Sequence, residues 1–89
     1  MIKTSVTISN KLGLHARASA KLTKLAGSYP CEVWVSRGER RVNGKSIMGV
    51  MMLAAGIGVT VEIETDGERE QEAMDAIVAL MNDKFGEGE

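Results

Sequence analysis

The chain has a single histidine, His15, and an arginine follows it two positions later. The stretch Gly13-Leu14-His15-Ala16-Arg17-Ala18-Ser19 runs from a glycine turn into what reads as the first turn of a helix. A helix N-terminus carries unpaired N–H groups and the positive end of the helix dipole, which makes it a ready site for an anion. A neutral imidazole placed there has what a phosphoryl carrier needs. It is nucleophilic near neutral pH, and it is a good enough leaving group to give the phosphoryl away. Phosphoryl transfer passes through a loose state with spread charge, so positioning and charge stabilisation do most of the catalysis. Arg17 offers a planar fork of donors to the equatorial oxygens. The backbone N–H of Ala16, with that of Arg17, completes the candidate constellation. The competing reading is a plain capping or surface histidine beside a solvated arginine.

A second candidate lies thirty-one positions on. Ser46 precedes the apolar segment Ile47-Met48-Gly49-Val50-Met51-Met52-Leu53-Ala54-Ala55 and reads as its N-cap. Phosphorylation there would add ~1.5–2 negative charges and change the field of the surrounding face while disturbing the fold little. Its bland reading is a helix cap and nothing more. Methionines at helical spacing are commonly core, but a helix apolar on both sides has some left over, and flexible thioethers suit a surface that meets several partners. Ile47, Met48 and Met51 are therefore expected to form a docking patch, ringed by Arg17, Lys21, Lys24 and Lys45. Cys31 and Trp34 have no chemical companions and read as structural, with Trp34 on the outward face of a strand.

The elements that position these groups follow from periodicity. Ile2, Thr4, Val6 and Ile8 alternate with polar residues, as in a half-buried strand over 2–8. Residues 9–13 form a loop. Ala18, Leu22, Leu25 and Ala26 then take up helical spacing, predicting a helix over 16–27 with His15 at its N-cap and Gly27 at its end. Cys31, Val33 and Val35 mark a second strand, Arg37-Gly38-Glu39 a tight hairpin, and Arg40 to Val42 a third strand. Asn43-Gly44 turns the chain into a helix of about two turns after Ser46, closed by Gly56. Val59, Val61 and Ile63 mark a fourth strand, and Thr65-Asp66-Gly67 a turn. A last helix buries Ala73, Met74, Ile77, Leu80 and Met81 and turns Glu70, Glu72, Asp75 and Asp83 outward. Residues 86–89 are expected to fray. The order β-α-β-β-α-β-α predicts an α+β, open-faced β-sandwich: a four-stranded antiparallel sheet with three helices on one face. Residues 1–89 are expected to make one domain.

Composition limits the function. One cysteine excludes an internal disulfide, and one Cys with one His cannot make an ordinary zinc site, so neither metal nor cofactor is expected. No apolar run approaches the ~20 residues of a membrane span. The chain opens on a strand pattern rather than a secretory signal, so a reducing, cytoplasmic setting is expected. A net charge of −1 argues against a nucleic-acid partner. A small RNA-binding module of similar element order would also need exposed aromatics on the sheet, and only Tyr29, Trp34 and Phe85 are present. The charge is uneven. Residues 1–45 hold nine Lys/Arg and two Asp/Glu, and residues 46–89 hold two and ten, giving halves of +7 and −8. Clustered in space, the basic half would suit an acidic or phosphorylated partner.

Gly13-Leu14-His15-Ala16-Arg17 resembles the phosphorylation site of the histidine-containing phosphocarrier (HPr) family of the bacterial phosphoenolpyruvate-dependent sugar phosphotransferase system. Asn43-Gly44-Lys45-Ser46-Ile47-Met48-Gly49-Val50-Met51 resembles the regulatory-serine region of kinase-controlled members. Length, element order and the strand after Gly56 fit as well, so the resemblance covers essentially the whole chain. It implies a monomeric carrier rather than a free-standing enzyme. His15 would accept a phosphoryl group at Nδ1 from enzyme I and pass it to the A component of enzymes II. Arg17 would stabilise the phosphoryl, and Ser46 would be modified by a serine kinase/phosphorylase. The alternatives are a regulatory domain acting mainly through Ser46 and its helix, or a nitrogen-branch phosphocarrier. Two positions depart from the family pattern: Ala18 stands where most members have proline, and Leu12 where many have a small polar residue.

Overall fold

In the computed structural model, which describes residues 1–88, the elements come in the predicted order. They are β1 (Ile2–Thr7), α1 (Ala16–Gly27), β2 (Glu32–Arg37), β3 (Arg40–Asn43), α2 (Ile47–Met52), β4 (Thr60–Asp66) and α3 (Glu70–Asn82), followed by a 3-10 turn at Lys84–Gly86. The four strands form one antiparallel sheet in the order β1-β4-β2-β3. The fourth strand in sequence is thus inserted between the first and the second.

Register follows the alternation. Val6 faces Val61 and Thr4 faces Ile63 across β1 and β4, and Val35 faces Ile63 across β2 and β4. Val6, Val33, Val35, Val61, Ile63 and Thr65 are buried on the helix side, and Lys3, Ser5 and Thr7 point the other way. Ala18, Leu22 and Ala26 of α1, Val50 of α2, and Ala73, Met74, Ile77 and Met81 of α3 complete one core. Each large aliphatic side chain buried there contributes about 1.5–3 kcal/mol, so this layer, not helix propensity, holds α1 and α3 in place. On the open face Trp34 is half-buried under the Arg41 guanidinium, 4.1 Å from the ring centre.

Several boundaries differ from the sequence reading. α1 is not among them: it spans the predicted 16–27, and Ser28 ends it by donating from Oγ to the Leu25 carbonyl at 2.6 Å. Thr65 and Asp66 continue β4 instead of turning, because Thr65 is fully buried and donates from Oγ1 to the Glu70 carbonyl. The turn comes at Gly67, whose φ of 125° suits only glycine, and at left-handed Arg69. Leu80 is only half-buried. α2 stops at Met52, where the carbonyls of Met52, Leu53 and Ala54 accept from Arg40 and Arg37.

The expected frayed end at 86–89 is the largest difference. Phe85 is buried, the Lys21 ammonium donates to its carbonyl at 2.6 Å, and Glu87 is held by two side chains. The chain is fixed there because a lone aromatic ring has found the edge of the core. Glu89 lies outside the described residues.

Candidate functional site

The loop before α1 is shaped by one close approach. Gly13 has a φ of 66°, and a Cβ on it would lie 2.5 Å from the Ala55 carbonyl oxygen. The Leu14 N–H donates to that same oxygen at 2.9 Å, and the Leu14 side chain is buried. The chain is thus pinned on both sides of the turn and enters the helix with His15 extended (φ −75°, ψ 179°). The first helical hydrogen bond runs from the Ser19 N–H to the His15 carbonyl at 2.8 Å. No side chain caps the helix. The amides of Ala16, Arg17 and Ala18 therefore have no acceptor within the helix, as the geometry of a helix start requires. Fully buried Ala18 keeps an N–H that proline would lack.

The His15 side chain is 27% exposed, and its Nε2 lies 2.5 Å from a carboxylate oxygen of Glu87. The other Glu87 oxygen accepts from Asn10 Nδ2 at 3.0 Å, and the same Nδ2 donates to the Gly13 carbonyl at 2.9 Å. Asn10 is fully buried. Burial pushes the Glu87 carboxyl up, but the hydrogen bonds from Asn10 and His15 and the nearby charges of His15 and Lys21 outweigh it and hold the group below its ordinary value. Arg17 is exposed and makes no hydrogen bond among the described residues. With Lys11, Leu12, Lys21 and Glu87 it lines the hollow in front of His15. Three cationic side chains and a set of open amides thus face a space containing one carboxylate, an arrangement suited to an incoming dianion.

The second candidate is built differently. Ser46 Oγ accepts from the Gly49 N–H at 3.2 Å, so α2 is capped by its own serine. Gly49 packs closely on β3, where a Cβ would lie 3.3 Å from Val42 Cβ. Val50 turns into the core, while Ile47, Met48, Met51 and Met52 are exposed at 45%, 70%, 38% and 60%. α2 packs against α1. The structure places Lys24 and Lys45 apart from the His15 hollow. Lys24 lines a groove with Lys21, Leu25, Ser28 and Leu80, and the Lys45 ammonium donates to the Tyr29 carbonyl at 2.8 Å. Sequence reasoning missed Glu87 and Asn10. The available signal for Glu87 was Phe85, the chain's one phenylalanine, in a segment read as a loose tail.

Comparisons with known proteins give the family and agree with the fold. The family described as the PTS HPr component phosphorylation site matches residues 2–83. The phosphocarrier protein HPr of Cupriavidus necator is 66% identical over 89 residues, the full length of both chains. A phosphocarrier protein NPr from Shewanella violacea is 42% identical over 86 residues, covering 97% of this chain and 94% of the relative. A crystal structure of HPr from Thermoanaerobacter tengcongensis superposes with a TM-score of 0.95 at 40% identity, covering 98% of each chain. A second structure from that organism, an HPr dimer, gives 0.79 at 40% identity and covers 98% of this chain and all of that one. The fold and the histidine site define a phosphocarrier of the phosphotransferase system. The chain belongs to the HPr family.

Proposed function

We propose that residues 1–89 act as one HPr-like domain that takes a phosphoryl group from enzyme I, itself charged by phosphoenolpyruvate, onto Nδ1 of His15. The group then passes to the A component of sugar-specific enzymes II. The observation that carries this reading is the open start of α1: His15 stands at the N-cap without capping it, so three amides remain available beside Arg17. Arg17 and the Ala16 N–H stabilise the equatorial oxygens. The protein is a stoichiometric intermediate rather than a free-standing catalyst, works in the cytoplasm and acts as a monomer. Ile47, Met48 and Met51 form the apolar centre of the docking face, with Lys24 and Lys45 contributing charge at its margin. Phosphorylation of Ser46 by a serine kinase/phosphorylase places negative charge on that face and weakens docking of acidic partners.

Incubation with enzyme I and phosphoenolpyruvate is expected to add one acid-labile, base-stable phosphoryl group, read by intact mass. Persistence of the label in His15→Ala would sink the reading. The likeness to an NPr protein makes the nitrogen branch the alternative. Comparing labelling rates with the enzyme I of each branch separates the two.

A further inference from the structure

The turn after α3 is held more firmly than its position near the end of the chain requires. Lys84 and Phe85 both have a φ of 55°, although neither is glycine. Such left-handed residues cost energy and persist only where their surroundings enforce them. Here the enforcement is visible: Phe85 is buried to 1% exposure, and Lys21 grips its carbonyl. Beyond it, Asn10 holds one oxygen of Glu87 and leaves the other against His15 Nε2. The combined result of these contacts is one carboxylate at one edge of one imidazole.

We propose that Glu87 is a positioning residue for phosphoryl transfer at His15, held by Asn10, fixing the imidazole with its proton on Nε2 and its lone pair on Nδ1. This rests on reading His15 as the phosphoryl acceptor. An ionised carboxylate only accepts hydrogen bonds, so the nitrogen facing it must carry the proton. The other nitrogen is then the nucleophile, as in sites where a carboxylate selects the tautomer of a working histidine. In the forward step the Nδ1 lone pair forms the N–P bond while the bond from phosphorus to the donor's leaving atom breaks, its electron pair departing with the donor. The ring gains a positive charge, Nε2 keeps its proton, and Glu87 faces that charge. In the onward step the N–P pair returns to Nδ1. No proton moves in either direction. Lys11 from the loop and Arg17 and Lys21 from α1 line the same hollow and face the phosphoryl's negative charge.

The test uses the full chain, uniformly labelled with nitrogen-15, as wild type, Glu87→Gln and Glu87→Ala. Long-range proton–nitrogen correlation of the His15 ring reads the tautomer directly, without any other protein. The expected wild-type spectrum shows the Nε2–H form, and both variants should lower the ratio of that form to the Nδ1–H form about tenfold. The labelling rate with enzyme I should fall in step with the lost fraction of the Nε2–H form, with the KM for this protein unchanged. Melting curves confirm that the variants are folded. An unchanged tautomer ratio, or a shifted ratio with an unchanged rate, would overturn the proposal. Failure of the wild type itself to take the label would instead overturn the carrier reading, a separate and recognisable result.

Discussion

Two helices in this molecule begin in nearly the same way and end up with opposite properties. α1 starts from His15 and α2 from Ser46, and both cap residues are extended. Ser46 turns its oxygen inward and satisfies the Gly49 amide. His15 makes no cap bond, and its ring is directed to Glu87. The first helix runs for twelve residues and the second for six. One terminus is therefore left open for an external anion, and the other closes on itself. An anion added at Ser46 changes the surface field, and an anion received at His15 meets unpaired donors. The proposed acceptor and regulatory sites would thus differ in whether the cap residue uses its hydrogen-bonding capacity on its own helix.

The contrast can be removed experimentally. His15→Ser is expected to abolish labelling by enzyme I completely and to convert the open terminus into a closed one. Relative to His15→Ala, equally inert, it should be more stable by about 1 kcal/mol, seen as a melting temperature higher by ~4–8 °C. Equal melting temperatures would mean that α1 does not accept a side-chain cap. Arg17→Ala should slow labelling about a hundredfold and leave the melting curve alone, since Arg17 is exposed and unbonded among the described residues. Rapid-quench labelling measures the first effect and calorimetry the second. At the other terminus, Ser46→Ala should cost about 1 kcal/mol of stability through the lost cap with labelling unaffected. Ser46→Asp should retain the cap and slow labelling in a salt-sensitive way. The smallest effect concerns pH. Because the folded Glu87 carboxyl titrates below its ordinary 4.5, its contribution to stability is present above about pH 4.5 and lost as the pH falls through the folded value. The melting-temperature difference between wild type and Glu87→Gln should shrink below that pH.

Much of the architecture was legible because it depends on local period. Alternation marked the strands, helical spacing marked α1 and α3, and His15 and Ser46 were placed at their caps from sequence alone. Strand order was not legible: the insertion of β4 between β1 and β2 depends on pairings such as Val6 with Val61, far apart along the chain. The same limit hid the carboxylate at the site. Glu87 lies seventy-two positions from His15, and its route there depends on Phe85 reaching the core. Local signals also misplaced ends. Thr65 and Asp66 read as a turn but extend β4, because Thr65 is buried and donates to the Glu70 carbonyl. Lys24 and Lys45 were grouped with the docking patch by charge; in the fold Lys24 shares a groove with Leu80, and the Lys45 ammonium donates to the Tyr29 carbonyl.

The open face of the sheet bears on traffic. Arg41 reaches Glu64 at 2.8 Å, Lys3 approaches it at 3.9 Å, and Thr7 pairs with Thr60. The exposed large apolar side chains come from loops, the chain start and α2, and none from the four strands. On the docking reading proposed above, the exposed apolar side chains of α2 are the landing ground, and the strands offer none. Donor and acceptor would compete for the same berth, so each must leave before the next arrives. Throughput would then depend on how fast each complex dissociates, and weak, short-lived encounters would serve the carrier better than tight ones.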